Sequence, residues 1–218
     1  MSLKDELENL RGKARTDENI RMAYEAVVNQ LGAPRRRVAP SRSVTSCRAF
    51  YCRMQKVAWC FPRSCSGKGP SSSISFAANW CPYCLHTLQA LELALPSIEA
   101  AGAQLAALTP DTGSHLIATK RRHGLSYEIL SDVDGAVGLQ FGVLFRAPQS
   151  YRELLIGRGI DLEERHGNAG WLIPMPATFV INQSGVIQYA FVNVDFTRRA
   201  EPDEIVQVLD GLERADCE

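Results

Sequence analysis

A pair of cysteines at the start of an apolar-patterned stretch is the feature that most limits how this chain can fold. Cys81 and Cys84 enclose Pro82 and Tyr83, and Trp80 comes just before them. Downstream, apolar residues recur at spacings of three and four, which predicts one face of a helix: Leu85, Leu88, Leu91, Leu95 and Ile98. Proline suits the first turn of a helix, where its missing N–H would have no partner. The pair is therefore predicted to lie at a helix N-terminus.

A helix N-terminus favours a negatively charged sulfur. Its first backbone N–H groups have no partner within the helix, and the helix dipole is positive there. Such surroundings lower a thiol pKa from about 8.5 to about 3.5–7.5, and the thiolate is the reactive form. We expect Cys81 to be the more exposed sulfur, with Cys84 one turn further in. A structural zinc half-site and two unrelated buried thiols are alternatives, but zinc needs a second ligand pair. We interpret Cys81 and Cys84 as a redox pair.

Beyond the cysteine pair, short apolar strands alternate with helical stretches. Strands are predicted at 104–108, 127–130, 176–181 and 186–192. Helices are predicted at 81–101, from about 112 to 122, from about 135 to 142, at 147–157 and from 201 onwards, with an irregular loop at 158–173. We expect Pro96 to kink or restart the first helix and Gly102 to end it. Alternating strands and helices imply an α/β fold with a sheet covered on both faces, to which the terminal hairpin adds antiparallel strands.

An N-terminal helical extension, residues 1–33, precedes the alternating region. Leu3, Leu7 and Leu10 share one helical face, and after Thr16–Asp17, which can cap a helix, Tyr24 and Val27 belong to a second face. We interpret this extension as a packing arm that covers a sheet edge. A contact in a homodimer is the alternative.

Residues 34–75 follow neither a helix nor a strand period. They contain three consecutive arginines, many serines and four cysteines: Cys47, Cys52, Cys60 and Cys65. The cysteines could form a zinc module, although no histidine joins them. The arginines could bind nucleic acid, although no ordered aromatic pattern accompanies them. The segment could also be a shifted reading frame of a GC-rich gene, since back-translating 52–61 and 69–73 and moving one nucleotide can give a turn-plus-strand and a buried strand. Residues 76–214 are expected to form the main domain.

Composition excludes some classes of function. The 218 residues carry no net charge, so no overall field favours nucleic acid or an anionic membrane. The chain has no apolar run of about 18 residues or more, which would predict a transmembrane helix. Its first residues are charged and lack the apolar core of a signal peptide. We therefore expect a cytoplasmic protein, in which paired cysteines are more often catalytic or metal-binding than structural.

Three segments, taken in order, resemble a known family. Trp80–Cys84, Pro176–Ile181 and Asp195–Pro202 are similar to the peroxiredoxin-like branch of the alkyl hydroperoxide reductase/thiol-specific antioxidant (AhpC/TSA) family. The similarity covers about residues 76–213 and, more loosely, the helical arm. It implies a thioredoxin-like fold and a thiol-dependent oxidoreductase.

The resemblance leaves open which cysteine attacks. Peroxiredoxins carry a Thr-x-x-Cys motif, and that alignment places Cys84 at the peroxide-attacking position and Cys81 where the threonine would be. Thioredoxins instead attack with the first cysteine, which corresponds to Cys81. The arginine that assists peroxiredoxins has no evident counterpart, since Pro176 stands near its expected position.

The same resemblance assigns roles to residues around the pair. It implies a cis bond before Pro176, with the Met175 backbone facing the sulfurs and pairing with an extended substrate. Apart from the resemblance, Trp80 is expected to shield the disulfide and contact the substrate, with core packing as the alternative. Tyr83, if exposed between the sulfurs, is expected to set their redox potential and their accessibility. Several further residues have a structural interpretation: His86 as a helix-surface histidine, Arg198 and Arg199 as anchors of the last helix, and Cys217 as an incidental tail residue.

The sequence therefore predicts an oxidoreductase in which Cys81 and Cys84 end as a disulfide. Attack on a peroxide gives a sulfenic acid that the second thiol condenses, whereas attack on a disulfide gives a mixed disulfide that it resolves. A thioredoxin- or glutathione-type reductant must restore the thiols, and no metal or organic cofactor is needed. A zinc-binding interaction module built from 47–84 and a catalytically inactive thioredoxin-fold protein are the alternatives.

The hypothesis of a shifted reading frame makes a prediction about folding. If residues 34–75 replaced a native segment, the protein should fold poorly, because serine-rich chain cannot easily replace a buried parallel strand. Resequencing the gene across both junctions, together with thermal unfolding, tests this. An undisturbed frame at both junctions, or a cooperative transition at about 45–65 °C, would contradict it.

Overall fold

Helices and strands alternate along most of the described chain, as predicted. The computed structural model describes residues 2–32, 72–76, 78, 80–182 and 186–215. Its helices are α1 (Leu3–Ala14), α2 (Glu18–Gly32), α3 (Pro82–Ala100), α4 (Gly113–His123), α5 (Ala136–Gln140), α6 (Gln149–Gly157), α7 (Leu162–His166) and α8 (Pro202–Ala215). Its strands are β1 (Ser72–Phe76), β2 (Gln104–Thr109), β3 (Glu128–Ser131), β4 (Leu144–Arg146), β5 (Leu172–Pro174), β6 (Ala177–Ile181) and β7 (Ile187–Val192). Within these ranges no helix is both long and apolar enough to cross a membrane.

A mixed sheet forms the centre of the fold. Among the described residues it has five strands in the order β3-β2-β1-β6-β7. β1 and β3 run parallel to β2, whereas β6 runs antiparallel to β1 and β7 antiparallel to β6. β4 and β5 form a separate antiparallel pair. This arrangement confirms the predicted α/β class, including the antiparallel hairpin at the end.

Buried side chains form a layer on each face of the sheet. On one face, Leu105 and Ala107 of β2 and Val180 of β6 join a cluster with α1, α3 and α8. On the other face, Leu108 of β2 and Phe179 of β6 pack with side chains of α5. Successive strand residues point to opposite faces, so β2 and β6 contribute to both layers. Helices cover both faces, as expected.

The N-terminal arm, α1 and α2, packs against its own chain. A capping box between Ser2 and Asp5 starts α1, which buries Leu3 and Leu7 against α3. α2 packs along α6 and buries Val27 in a cluster that includes β4 and β5. A homodimer contact through this arm stays a prediction.

Pro96 does not restart the helix that follows the cysteine pair. α3 continues through it as one helix from Pro82 to Ala100, and Gly102 follows with a φ of +68°. Leu91 and Ile98, on either side of the proline, are almost completely buried in the same cluster. Tertiary packing on both sides therefore offsets the backbone hydrogen bond that the proline cannot make.

The segment predicted to be an irregular loop, 158–173, contains regular structure. The Asp161 carboxylate accepts the N–H groups of Glu163 and Glu164 and so caps α7. β5, which begins at Leu172, pairs with β4, a strand that the sequence pattern also missed. These elements are too short to show a period, and β4 and β5 depend on a partner distant in the sequence.

Most of the anomalous segment lies outside the described residues. Its last residues belong to β1, which lies between β2 and β6 in the sheet. The four cysteines of the anomalous segment and Cys217 also lie outside the described ranges. The zinc-module, nucleic-acid and shifted-frame hypotheses therefore all stay predictions.

The central position of Phe179 makes a prediction about stability. Phe179→Ala should lower the free energy of unfolding by about 3–5 kcal/mol, because the ring is 0 % exposed and packs on Phe141 with ring centroids 4.7 Å apart. Chemical denaturation followed by circular dichroism measures this. Leu93→Ala is the control, since Leu93 is 85 % exposed on α3 and should cost less than about 0.5 kcal/mol. Equal costs for the two variants would contradict the described core.

Candidate active site

The cysteine pair lies where α3 begins, as predicted. Cys81 directly precedes the helix with extended backbone (φ −92°, ψ 121°), and its carbonyl accepts the N–H of Leu85 at 3.0 Å. Cys84 lies in the first helical turn. Both are free thiols, with Cys81 8 % exposed and Cys84 2 % exposed. The two thiols form a hydrogen bond with each other, so their side chains meet in one buried site.

The two sulfurs differ in acidity. The hydrogen bond from Cys81 lowers the pKa of Cys84 to about 6, although burial acts in the opposite direction. The charge of Arg199 and a hydrogen bond from the Ala78 backbone contribute to the lowering. The pKa of Cys81 lies well above its ordinary value, because its proton is held in the hydrogen bond to Cys84 and because it is buried. Cys84, with Arg199 beside it, is therefore the more acidic of the two thiols.

Arg199 is the cation beside this sulfur. It lies in the loop of residues 193–200, which joins β7 to α8, and its Nη2 is 3.5 Å from Cys84 Sγ. Its Nη1 donates to the carbonyls of Phe196 and, at 2.8 Å, Arg198. Arg199 therefore contacts the cysteine pair, and its interpretation as an anchor of the last helix stays a prediction. Arg198 instead is exposed and lies 3.6 Å from Asp195.

Aromatic side chains surround the pair. Phe196, in the same loop, lies near Tyr83 of α3 and Tyr151 of α6, with ring centroids 6.0 and 6.2 Å apart. Burial raises the pKa of both tyrosines, and the nearby cysteine sulfurs add to the effect. Tyr83 is buried, so the condition attached to its proposed role, exposure between the sulfurs, is not met. Trp80 packs, partly buried, between two apolar clusters, and its Nε1 has no hydrogen-bond partner among the described residues.

The bond before Pro176 is trans, since the described residues contain no cis peptide bond. The predicted cis bond is wrong. Trans is the more stable isomer by about 0.5–1 kcal/mol, and the two-residue link between β5 and β6 accommodates it. The Met175 N–H donates to the Val143 carbonyl at 2.6 Å, so this donor already has a partner within the chain. A role for Met175 and Pro176 in substrate binding stays a prediction.

Other polar residues near the start of α3 have structural partners. His86 lies on the helix surface, as interpreted, with its Nδ1 3.1 Å from a Glu6 carboxylate oxygen. Both residues line a groove of about 880 Å³ between α1, α3 and α8, whose lining does not include Cys81 or Cys84. Pro82 is exposed in the first turn of α3. In the part of the chain that the structure describes, no group of three or more His, Cys, Asp or Glu side chains could hold a metal ion.

Sequence reasoning missed most of the surroundings of Cys84. Asp195–Pro202 stood out as a motif, but nothing in its pattern places Arg199 beside a residue 115 positions earlier. Tyr151 follows a predicted helix start without any polar motif. The missing signal is tertiary, because both residues reach the sulfurs only after the sheet has formed.

Comparisons with known proteins identify the fold and the family of the chain. A comparison with curated proteins finds no significant match. Solved structures that share the fold include AhpC from Enterococcus faecalis, which is 17% identical with a TM-score of 0.53, covering 69% of this chain and 79% of that chain. Peroxiredoxin Q from Xanthomonas campestris is 19% identical with a TM-score of 0.50, covering 67% and 81%, and a reduced 2-Cys peroxiredoxin from Plasmodium vivax is 17% identical with a TM-score of 0.52, covering 68% and 68%.

These structural likenesses, at such low identities, establish the fold. The family assignment comes from the sequence: the pattern of the AhpC/TSA family matches residues 70–190, more than half of the chain. The matched range includes the cysteine pair and β6. The chain belongs to the AhpC/TSA family.

Proposed function

We propose that this protein is a thiol peroxidase in which the Cys84 thiolate attacks a hydroperoxide. The observation that carries the proposal is the position of Arg199 Nη2, 3.5 Å from Cys84 Sγ. A guanidinium at this distance favours the anionic form of the sulfur, and the thiolate is the nucleophile in cysteine chemistry. The same cation can attract the polar O–O group of a peroxide.

Cys81 fits the role of the second thiol. It occupies the position of the peroxiredoxin threonine and, as a hydroxyl could, donates a hydrogen bond to the attacking sulfur. Its raised pKa keeps it protonated while Cys84 is ionised. This difference in acidity favours attack by Cys84, as in the peroxiredoxin alignment, over attack by Cys81, as in the thioredoxin alignment.

The proposed reaction has two steps. In the first, Cys84 forms an S–O bond as the O–O bond of the peroxide breaks, and the leaving alkoxide or hydroxide takes a proton. The sulfur is then a sulfenic acid. In the second, Cys81 forms a disulfide with Cys84, and the sulfenic oxygen leaves as water. A dithiol protein of the thioredoxin class, or a glutathione-type thiol, supplies the two electrons that restore the pair.

Burial favours a peroxide over a protein disulfide as the first electrophile. Attack on a disulfide brings a second sulfur and its carrier chain into contact with the thiolate, whereas hydrogen peroxide needs little more room than water. Cys84 is 2 % exposed and Cys81 8 % exposed, which restricts the approach of a bulky substrate. Reduction of protein disulfides is therefore the secondary route.

Removing the charge of Arg199 should move the pH dependence of the reaction. For the unchanged protein, the rate of peroxide reduction should rise with pH through about 6, as Cys84 loses its proton, and then level off. In Arg199→Met the thiolate loses a stabilising charge, so this rise should shift upward by about one pH unit. Stopped-flow kinetics across a pH series measures the shift. Arg122→Met is the control, since Arg122 is exposed near the end of α4. Equal profiles for the two variants would argue against a role for Arg199.

Serine variants separate the two thiols. Cys84→Ser should lower the rate of reaction with hydrogen peroxide by at least about 100-fold, because the nucleophile is lost. Cys81→Ser should still consume one equivalent of peroxide but stop at the sulfenic acid, because no neighbouring thiol condenses with it. Stopped-flow measurements with peroxide and with a model disulfide, followed by peptide mass spectrometry of residues 81 and 84, distinguish these outcomes from oxidation of other cysteines. Peroxide reactivity that survives in Cys84→Ser and disappears in Cys81→Ser would overturn the proposed roles.

A further inference from the structure

Both helices of the N-terminal arm contact the loop that carries Arg199. Arg11 of α1 lies 3.2 Å from the Asp195 carboxylate, and the Tyr24 hydroxyl of α2 donates a hydrogen bond to the same group. The Tyr24 ring also packs edge-on against Phe196, with ring centroids 5.0 Å apart. Residues 193–200 thus lie between the arm and the cysteine pair.

The position of the Arg199 side chain depends directly on the backbone of residues 193–200. The Asp195 carboxylate accepts the Thr197 N–H at 3.0 Å, and the Asp195 carbonyl accepts the Arg198 N–H at 3.0 Å. Nη1 of Arg199 donates to the Phe196 carbonyl, while Nη2 contacts Cys84. Since one planar guanidinium makes both contacts, the place of the loop backbone determines where the charge lies relative to the sulfur.

Burial strengthens the contacts between arm and loop. The side chains of Arg11 and Asp195 are 25% and 15% exposed, so solvent screens their attraction less than that of a surface pair. Burial raises the pKa of Asp195, but hydrogen bonds from Thr197 and Tyr24 and the charge of Arg11 outweigh it, and the net pKa is lowered. Burial and the hydrogen bond to Asp195 raise the pKa of Tyr24 to about 12. Near neutral pH the carboxylate is therefore charged and the phenol is a donor.

The arm has further attachments outside residues 193–200, the first of them at Glu201, the last residue before α8. The Lys4 N–H donates to Glu201 at 2.7 Å, Gln30 Nε2 donates to the Arg146 carbonyl at 2.8 Å, and Arg158 lies 3.1 Å from Asp17. Loss of the Arg11 or Tyr24 contact alone therefore leaves the arm attached at both helices. The effect of losing one of these contacts on residues 193–200 can therefore be distinguished from detachment of the whole arm.

We propose that the N-terminal arm holds Arg199 against Cys84, with Arg11 and Tyr24 acting as positioning residues through Asp195 and Phe196. This inference rests on the proposed role of Cys84 as the attacking thiolate. By thermodynamic linkage, if docking of the loop stabilises the Cys84 thiolate, then the thiolate stabilises docking of the loop to the same extent. The negative charge on Cys84 favours the docked loop, and its loss when Cys84 enters a disulfide weakens docking. Oxidation therefore weakens the contact between the loop of residues 193–200 and the cysteine pair. It does so at the stage when a bulky thiol reductant must reach the disulfide.

Several charged or titratable groups surround Cys84 besides Arg199. Cys81 and Tyr83 belong to its own helix or its start, and Tyr151 faces the sulfurs from α6. Arg11 and Asp195 lie beyond Arg199. Arg11 and Asp195, together with Tyr24, connect the arm to the loop in the described structure, so variants in the arm change the surroundings of Cys84 through that connection.

Conservative variants of the arm test the proposal. Tyr24→Phe removes the hydroxyl but keeps the ring against Phe196, and Arg11→Gln removes the charge. In both, the pH midpoint of Cys84 alkylation should rise by about half a unit or more, which is about a threefold loss of thiolate below the midpoint. Iodoacetamide labelling followed by peptide mass spectrometry reads Cys84 separately from every other cysteine. The midpoint reports acidity, whereas a change in access alters the labelling rate at every pH.

Matched variants complete the design. Arg21→Gln is the control, since Arg21 belongs to the same arm and, among the described residues, pairs with Glu18 and Glu25 at the surface of the arm. It should leave the midpoint unchanged, and Arg11→Lys should restore most of the shift of Arg11→Gln. Hydrogen exchange in residues 193–200 should be faster in the disulfide form than in the reduced form. Circular dichroism confirms that each variant folds.

The outcomes separate this inference from the proposed function. If the midpoint of the unchanged protein is low and the Tyr24→Phe and Arg11→Gln midpoints match that of Arg21→Gln, the arm does not position Arg199 and the inference fails alone. If Cys84 in the unchanged protein titrates at the ordinary value of a thiol, the proposed function fails with it. A raised midpoint in both variants, with the control unmoved, supports the inference.

Discussion

A negative charge on a buried sulfur is the constraint on which this structure depends. Burial alone raises the pKa of a thiol, so a buried thiolate persists only where donors and cations replace the water that it has lost. Around Cys84 these are the Cys81 thiol, a backbone hydrogen bond from Ala78 and the Arg199 guanidinium. They come from the start of α3, the segment before it and a loop near the end of the domain. The site therefore exists only when the sheet has brought those three parts of the chain together.

The same burial links reactivity to access. Cys84 is 2 % exposed, and Tyr83, Tyr151 and Phe196 pack beside the pair, so a bulky substrate cannot easily approach the sulfur. A peroxidase benefits from this combination, because its substrate is small and its attacking sulfur must avoid other reactions. The disadvantage of burial arises when the disulfide is reduced, because the reductant has to reach it. If the contact between the loop of residues 193–200 and the pair depends on the charge of Cys84, the site can be closed around the thiolate and accessible in the disulfide form.

The loop of residues 193–200 is the point where distant parts of the fold meet. Phe196 borders both the cluster beneath α3 and α8 and the cluster between α2, α6 and the β4–β5 pair. Asp195 connects the loop to the arm, and Arg199 connects it to Cys84 of α3. Substitutions far from the sulfurs, in the first 32 residues, can therefore change the chemistry without altering the cysteine pair. This role of the arm extends the simple packing function that its apolar faces indicate.

The sequence by itself determined the features that depend on neighbouring residues. Helix α3 with the cysteines at its start, the strands β2, β3, β6 and β7 and the amphipathic arm follow from local periodicity, capping and turn residues, and so does the α/β class. Tertiary structure alone decided the rest. Tertiary contacts continued α3 through Pro96 and formed α7 and the β4–β5 pair in and next to a segment predicted to be irregular. They also kept the bond before Pro176 trans and placed Arg199 beside Cys84. The physical reason is the same in each case. A local pattern specifies which faces a segment must bury, but packing and charge contacts between residues more than 100 positions apart specify which sulfur becomes the anion.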